Sequence, residues 1–121
     1  MSGPVQEKRK SVRIQPYVVP CRFVEGDRRG SGYVTELSVD GLRVSCEVDP
    51  PGLHSRVVIE VRLGRRVAHT RFPGEVRWVR RGTGPGSLHA FGLTFDGIDE
   101  PQRRDLQAVV EDFKRRVDEI T

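Results

Sequence analysis

Three observations predict an all-β domain: a six-stranded antiparallel barrel or sandwich with a C-terminal α-helix and a flexible basic N-terminal arm. Between residues 16 and 97, apolar residues recur at every second position in runs separated by Gly, Pro, Asp and Ser clusters. From residue 98 the apolar spacing changes to three and four, the period of a helix packed along one side. Residues 1–15 hold Glu7-Lys8-Arg9-Lys10-Ser11-Val12-Arg13 and too few apolar positions to pack, so they read as a mobile arm. A chain of 121 residues with 13 glycines and 8 prolines suits a single domain with one core and many turns. The expected divisions are therefore arm 1–15, barrel 16–97 and helix 98–121.

The first strand places Tyr17, Val19, Cys21 and Phe23 on one face and ends at the Glu25 to Gly30 hairpin cluster. Tyr33, Thr35 and Leu37 form the second. A polar turn, 38 to 41, leads into Leu42, Val44, Cys46 and Val48, which alternate with Arg43, Ser45 and Glu47. Asp49-Pro50-Pro51-Gly52 stops that strand, because proline cannot donate to a ladder. Val57, Ile59, Val61 and Leu63 make the fourth. A long run from Val67 to Arg80 makes the fifth, with a bulge or bend expected at Pro73-Gly74 and with Val76 and Trp78 facing inward. Phe91, Leu93 and Phe95 share one face of the sixth strand, and Trp78 and Phe91 read as core residues. In the tail, Leu106, Val109, Val110, Phe113, Val117 and Ile120 form a helical stripe. Asp99 is placed to cap this helix, with Gln102 three residues on and Pro101 in the first turn.

A net charge of +4 favours anionic partners. Cys21 and Cys46 fall at core-facing positions without metal spacing, and read as small buried hydrophobes. No signal-peptide pattern and no apolar run near the ~20 residues of a membrane span is present, so a reducing cytoplasm is the expected compartment. His54, His69 and His89 are scattered, and Ser38 with Asp40 has no nearby His. Neither a catalytic site, a metal site nor a cofactor is expected. The arginines at loop tips lack the aromatic motif of an RNA-binding face, which argues against nucleic acid as the partner.

Two short motifs carry chemistry. In Glu36-Leu37-Ser38-Val39-Asp40-Gly41, a hydroxyl beside free backbone amides can bind an anion, and Gly41 can take φ > 0 or admit a ligand close to the backbone. Arg9 and Arg13, four apart, place both guanidiniums on one side of the arm. Guanidiniums fork onto phosphates or onto guanine O6 and N7, and a carboxylate accepts from guanine N1 and N2. Together these groups suit a guanine nucleotide.

Arg9-Lys10-Ser11-Val12-Arg13 followed by the Glu36 to Gly41 motif resembles the PilZ domain, the bacterial receptor module for cyclic di-GMP, whose pattern is RxxxR and then [D/N]xSxxG. The strand pattern, Trp78, Phe91-Gly92-Leu93 and the closing helix fit that resemblance over nearly the whole chain. It implies a six-stranded antiparallel β-barrel and a cyclic di-GMP site formed by Arg9, Arg13, Glu36, Ser38 and Gly41, with the ligand ordering the arm and changing the surface offered to a separate protein partner. The sequence departs from the pattern at Glu36, whose extra methylene moves the carboxylate by roughly 1.5 Å. That departure supports the alternative, a degenerate member that has lost the ligand and serves as an adaptor in motility, pilus or polarity machinery.

Overall fold

The computed structural model describes residues 18–64 and 67–120, with side chains up to Arg116. Strands β1 (Val19–Glu25), β2 (Arg28–Leu37), β3 (Gly41–Cys46), β4 (Arg56–Val61), β5 (Arg71–Arg80) and β6 (His89–Phe95) precede one helix, α1 (Glu100–Ile120). They form a closed antiparallel barrel in the order β1-β2-β3-β6-β5-β4, with β4 pairing back onto β1. The β1–β2 hairpin turns at Gly26, which takes φ +60°.

The alternating residues fill the interior. Phe23, Phe72, Phe91, Ile59, Val34 and Val44 are fully buried, and Phe23 meets Phe91 edge to face at 5.2 Å. Gly30 is required by this packing, since a Cβ there would lie 2.2 Å from Phe23 Cζ. Cys21 and Cys46 are buried free thiols on either side of Gly32, and burial pushes the Cys21 thiol up to about 12.

The helix closes one end of the barrel. Asp99 and Gln102 form a reciprocal cap, with Gln102 N–H donating to Asp99 Oδ1 at 2.9 Å and Asp99 N–H to Gln102 Oε1 at 3.1 Å. Leu106 and Val110 then enter the core. Two polar contacts tie the helix to the approach and start of β5: Gln102 Nε2 donates to Arg71 O at 2.7 Å, and His69 Nδ1 lies 2.8 Å from Asp105 Oδ2. No helix among the described residues is long and apolar enough to cross a membrane.

Several expectations are corrected. The long fifth run is a strand only from Arg71. At Pro73 and Gly74 the pairing is regular, with Pro73 opposite Val58 and Gly74 opposite both Val57 and Phe95. Proline is tolerated because its N faces the same side as its carbonyl, which accepts from Asp96 N–H beyond the end of β6. Gly74 makes room for Leu93, whose Cδ2 would lie 2.4 Å from a Cβ. The irregularity falls instead between Val76 and Trp78, where an extra residue turns both Arg77 and Trp78 outward, so Trp78 is 40% exposed rather than in the core. A second shift between Val34 and Glu36 puts Tyr33 and Leu37 on opposite faces. Val48 lies past the end of β3 and is exposed.

Candidate functional site

The 38-to-41 turn is held by its own serine. Ser38 Oγ accepts from Asp40 N–H at 3.1 Å and Gly41 N–H at 3.2 Å and is 3.3 Å from Gly41 O, which also accepts Ser38 N–H at 2.9 Å. At 5% exposure this hydroxyl is a buried brace that satisfies the turn's amides. Gly41 does not take positive φ. Its necessity comes from the neighbouring strand: a Cβ would lie 2.2 Å from Leu93 O, so glycine lets β6 approach β3. The hydroxyl thus serves the turn's own amides, and of the two uses expected for Gly41 it is close approach, here of β6, and not positive φ that the structure shows.

The next residues along β2 and β3 lead outward onto the barrel surface. Glu36 is paired with Arg43, Arg43 with Gly92, and Gly92 with Trp78, so one row crosses β2, β3, β6 and β5. At its far end the indole lies on Gly92, where an added Cβ would be 2.0 Å from Trp78 Nε1. The Arg43 guanidinium sits 5.7 Å from the Trp78 ring centroid, a cation–π arrangement. Arg43 Nε and Thr35 Oγ1 are buried without a hydrogen-bond partner among the described residues. The row thus offers a carboxylate, a guanidinium and a half-exposed aromatic face, a set able to hold a planar polar ring and an anion.

Arg9 and Arg13 lie outside the described residues. The first described residue, Val18, is exposed, and Val19 pairs with Val34, two residues before Glu36. Arg43, Gly92 and Trp78 were missed as site residues in the sequence. Arg43 looked like one more polar position in an alternating strand, and the β5 bulge that exposes Trp78 has no marker in the residues around it. Among the described residues no His, Cys, Asp and Glu cluster could hold a metal ion.

The PilZ domain profile matches residues 7–112. No curated protein sequence matches the chain. Among solved structures, the PilZ domain with c-di-GMP of YcgR from Escherichia coli superposes with a TM-score of 0.72 at 18% identity, covering 93% of this chain and 95% of that one. Bacillus subtilis MotI/DgrA, an inhibitor of motility, gives 0.69 at 15% identity over 92% of this chain and 52% of its own. The K. pneumonia MrkH–c-di-GMP complex gives 0.76 at 11% identity, with 94% of this chain and 56% of MrkH covered. This chain therefore spans about half of MotI and MrkH, and at these identities the likeness is one of fold. With the profile covering most of its length, the chain belongs to the PilZ domain family.

Proposed function

We propose that this protein is a cyclic di-GMP receptor module, non-catalytic, whose N-terminal arm closes over the Glu36–Arg43–Gly92–Trp78 row. The observation that carries the reading is the register that pairs Val19, near the start of the described residues, with Val34, two residues before Glu36 at one end of that row. Three strand spacings of about 4.8 Å separate Glu36 from Trp78, roughly 14 Å in all. Arg13 is five residue steps from Val18, and at up to ~3.3–3.6 Å each they reach about 17 Å, enough to cross the row. In this reading Arg9 and Arg13 fork onto phosphate and guanine acceptors, Glu36 accepts from guanine N1 and N2, and Trp78 with Arg43 flanks a base. Ser38 and Gly41 act by shaping the turn. Ligand binding fixes the arm and alters the surface presented to a protein partner. The solved relatives with c-di-GMP support the ligand's identity.

Titration calorimetry with cyclic di-GMP tests this. Binding by the native protein, weakened at least tenfold by Arg9→Ala or Arg13→Ala, is expected, with Glu36→Asp binding as well or better. A second reading, a ligand-free adaptor, is favoured by Glu36 standing where the family pattern has Asp or Asn. Absence of binding by the native protein, together with binding by Glu36→Asp, would establish it.

A further inference from the structure

Val76 carries the last backbone bonds of β5 on its β4 side among the described residues. Its N–H donates to Ser55 O at 3.0 Å and its carbonyl accepts from His54 N–H at 2.9 Å, so two consecutive residues of the approach to β4 close on one residue of β5. Past Val76, Arg77–Arg80 pair with β6 and with no strand on the other side. The chain turns a corner at His54, whose φ is +67°. That left-handed backbone is costly for any residue with a Cβ and nearly forbidden for a β-branched one. Little packing offsets the strain: the imidazole is 66% exposed, with its Nδ1 3.4 Å from Glu75 Oε2. The corner is held through its ends instead. Ser55 N–H and Oγ both donate to Gly52 O, at 3.1 and 2.7 Å, and Gly52 N–H donates to Glu25 Oε2 at 3.0 Å. A strained backbone over-determined by its surroundings fixes the position of whatever it touches.

We infer that His54 is a positioning residue for Trp78. On the β6 side the register of β5 slips between Val76 and Trp78, and the extra residue turns Trp78 outward onto Gly92, with its ring centroid 5.7 Å from the Arg43 guanidinium. Bulges favour strand edges, where no second ladder opposes the extra residue. A β4 partner continuing past Val76 would bond the next backbone groups of β5 in regular register and hold the strand straight. The corner at His54 ends that partner at Val76, which frees the edge for the slip, and the two bonds to Val76 fix where the slip begins. His54 thus acts on the candidate site through the indole, without lying in the row itself. The consequence for ligand binding rests on the cyclic di-GMP reading, in which Trp78 flanks a base. The effect on the seat of the indole does not depend on that reading.

The test reads the indole first, by the emission of the full chain, in which Trp78 is the sole tryptophan. His54→Val, whose branched Cβ resists φ +67°, should release the corner and shift the emission to the red. His54→Gly, which adopts that φ freely and loses only the imidazole, should leave the emission unchanged. In titration calorimetry with cyclic di-GMP, His54→Val should bind about tenfold more weakly, as expected when part of a base–aromatic stack is lost. The same change made in Trp78→Ala should weaken binding by less than about twofold, because the group it positions is gone. A role in folding alone would cost the same affinity with or without the indole. Unchanged emission in His54→Val, an equal red shift in His54→Gly, or equal affinity losses in both backgrounds would each overturn the inference. Absence of cyclic di-GMP binding by the native protein would sink the receptor reading, and the two emission results would still decide the role of His54.

Discussion

Replacing Gly92 with alanine would put a methyl 2.0, 2.4 and 2.8 Å from Trp78 Nε1, Cε2 and Cδ1. Nonbonded carbon atoms rest at about 3.5–4 Å, so the indole must move by roughly 1.5 Å. The ring cannot retreat into the barrel, because it lies on the outside of β5; it must lift into solvent. An aromatic side chain buries roughly 150–250 Å², of which Trp78 retains more than half. Complete detachment would therefore cost about 3 kcal/mol at ~25 cal/mol per Å². Loss of the Arg43 contact adds ~0.5–1 kcal/mol, while the lower chain entropy of alanine returns a similar amount. Partial lifting then predicts a destabilisation of about 1–2 kcal/mol and a fall in Tm of roughly 4–8 °C. Trp78 is the sole tryptophan, so its emission reports the movement directly and should shift to the red. In a Trp78→Ala background the same glycine change should be neutral or stabilising, because nothing remains to displace. Equal losses in both backgrounds, or unchanged emission, would refute the view that Gly92 exists to seat the indole.

Ser38→Ala should lower stability by about 1–3 kcal/mol, since it strips two amides of the acceptor that satisfies them; chemical denaturation measures it. Ser38→Ala should therefore weaken ligand binding through the turn, with a loss of Tm in the ligand-free protein that a direct-contact role would not cause. Gly41→Ala should be worse, above about 3 kcal/mol, because the clash is with Leu93 carbonyl oxygen in a paired strand; circular dichroism on the purified variant would show it. For pH, hydrogen bonding to His69 holds Asp105 below the ordinary carboxylate value of 3.8, and the Gly52 amide holds Glu25 below 4.5. Groups depressed in this way contribute stability above their unfolded values and lose it as pH falls through the folded ones. Melting temperatures should accordingly drop below about pH 4.5, and the drop should be shallower in Asp105→Asn and Glu25→Gln.

The parts of the fold that were legible were those in which one local rule acts alone. Val57, Ile59, Val61 and Leu63 alternate and are buried in that order, and Asp99 with Gln102 announces the helix start that the two reciprocal hydrogen bonds realise. What was hidden depends on partners distant in the chain. The bulge at Val76 to Trp78 accompanies pairing with a separate loop, in which His54 N–H donates to Val76 O and Val76 N–H to Ser55 O. Nothing in the β5 residues themselves records this. The same holds for Gly41 and Gly74, which read as turn and bend signals, and for Gly92, which read as one more strand position: all three serve close contacts with Leu93 or Trp78. The candidate site was half legible for this reason: the Glu36 to Gly41 motif stands in the sequence, while Arg43 and Trp78 become neighbours only when β3, β6 and β5 are laid side by side.

The glycine between the two thiols has a chemical consequence. Cys21 and Cys46 are separated by the whole width of β2, so their Cα atoms are about two strand spacings, roughly 9.6 Å, apart. A disulfide spans at most about 7 Å between Cα atoms, so peroxide or air cannot staple this barrel without first prying its strands loose. Its melting behaviour should be indifferent to reductant, which leaves the protein equally durable whatever the electron balance of its surroundings.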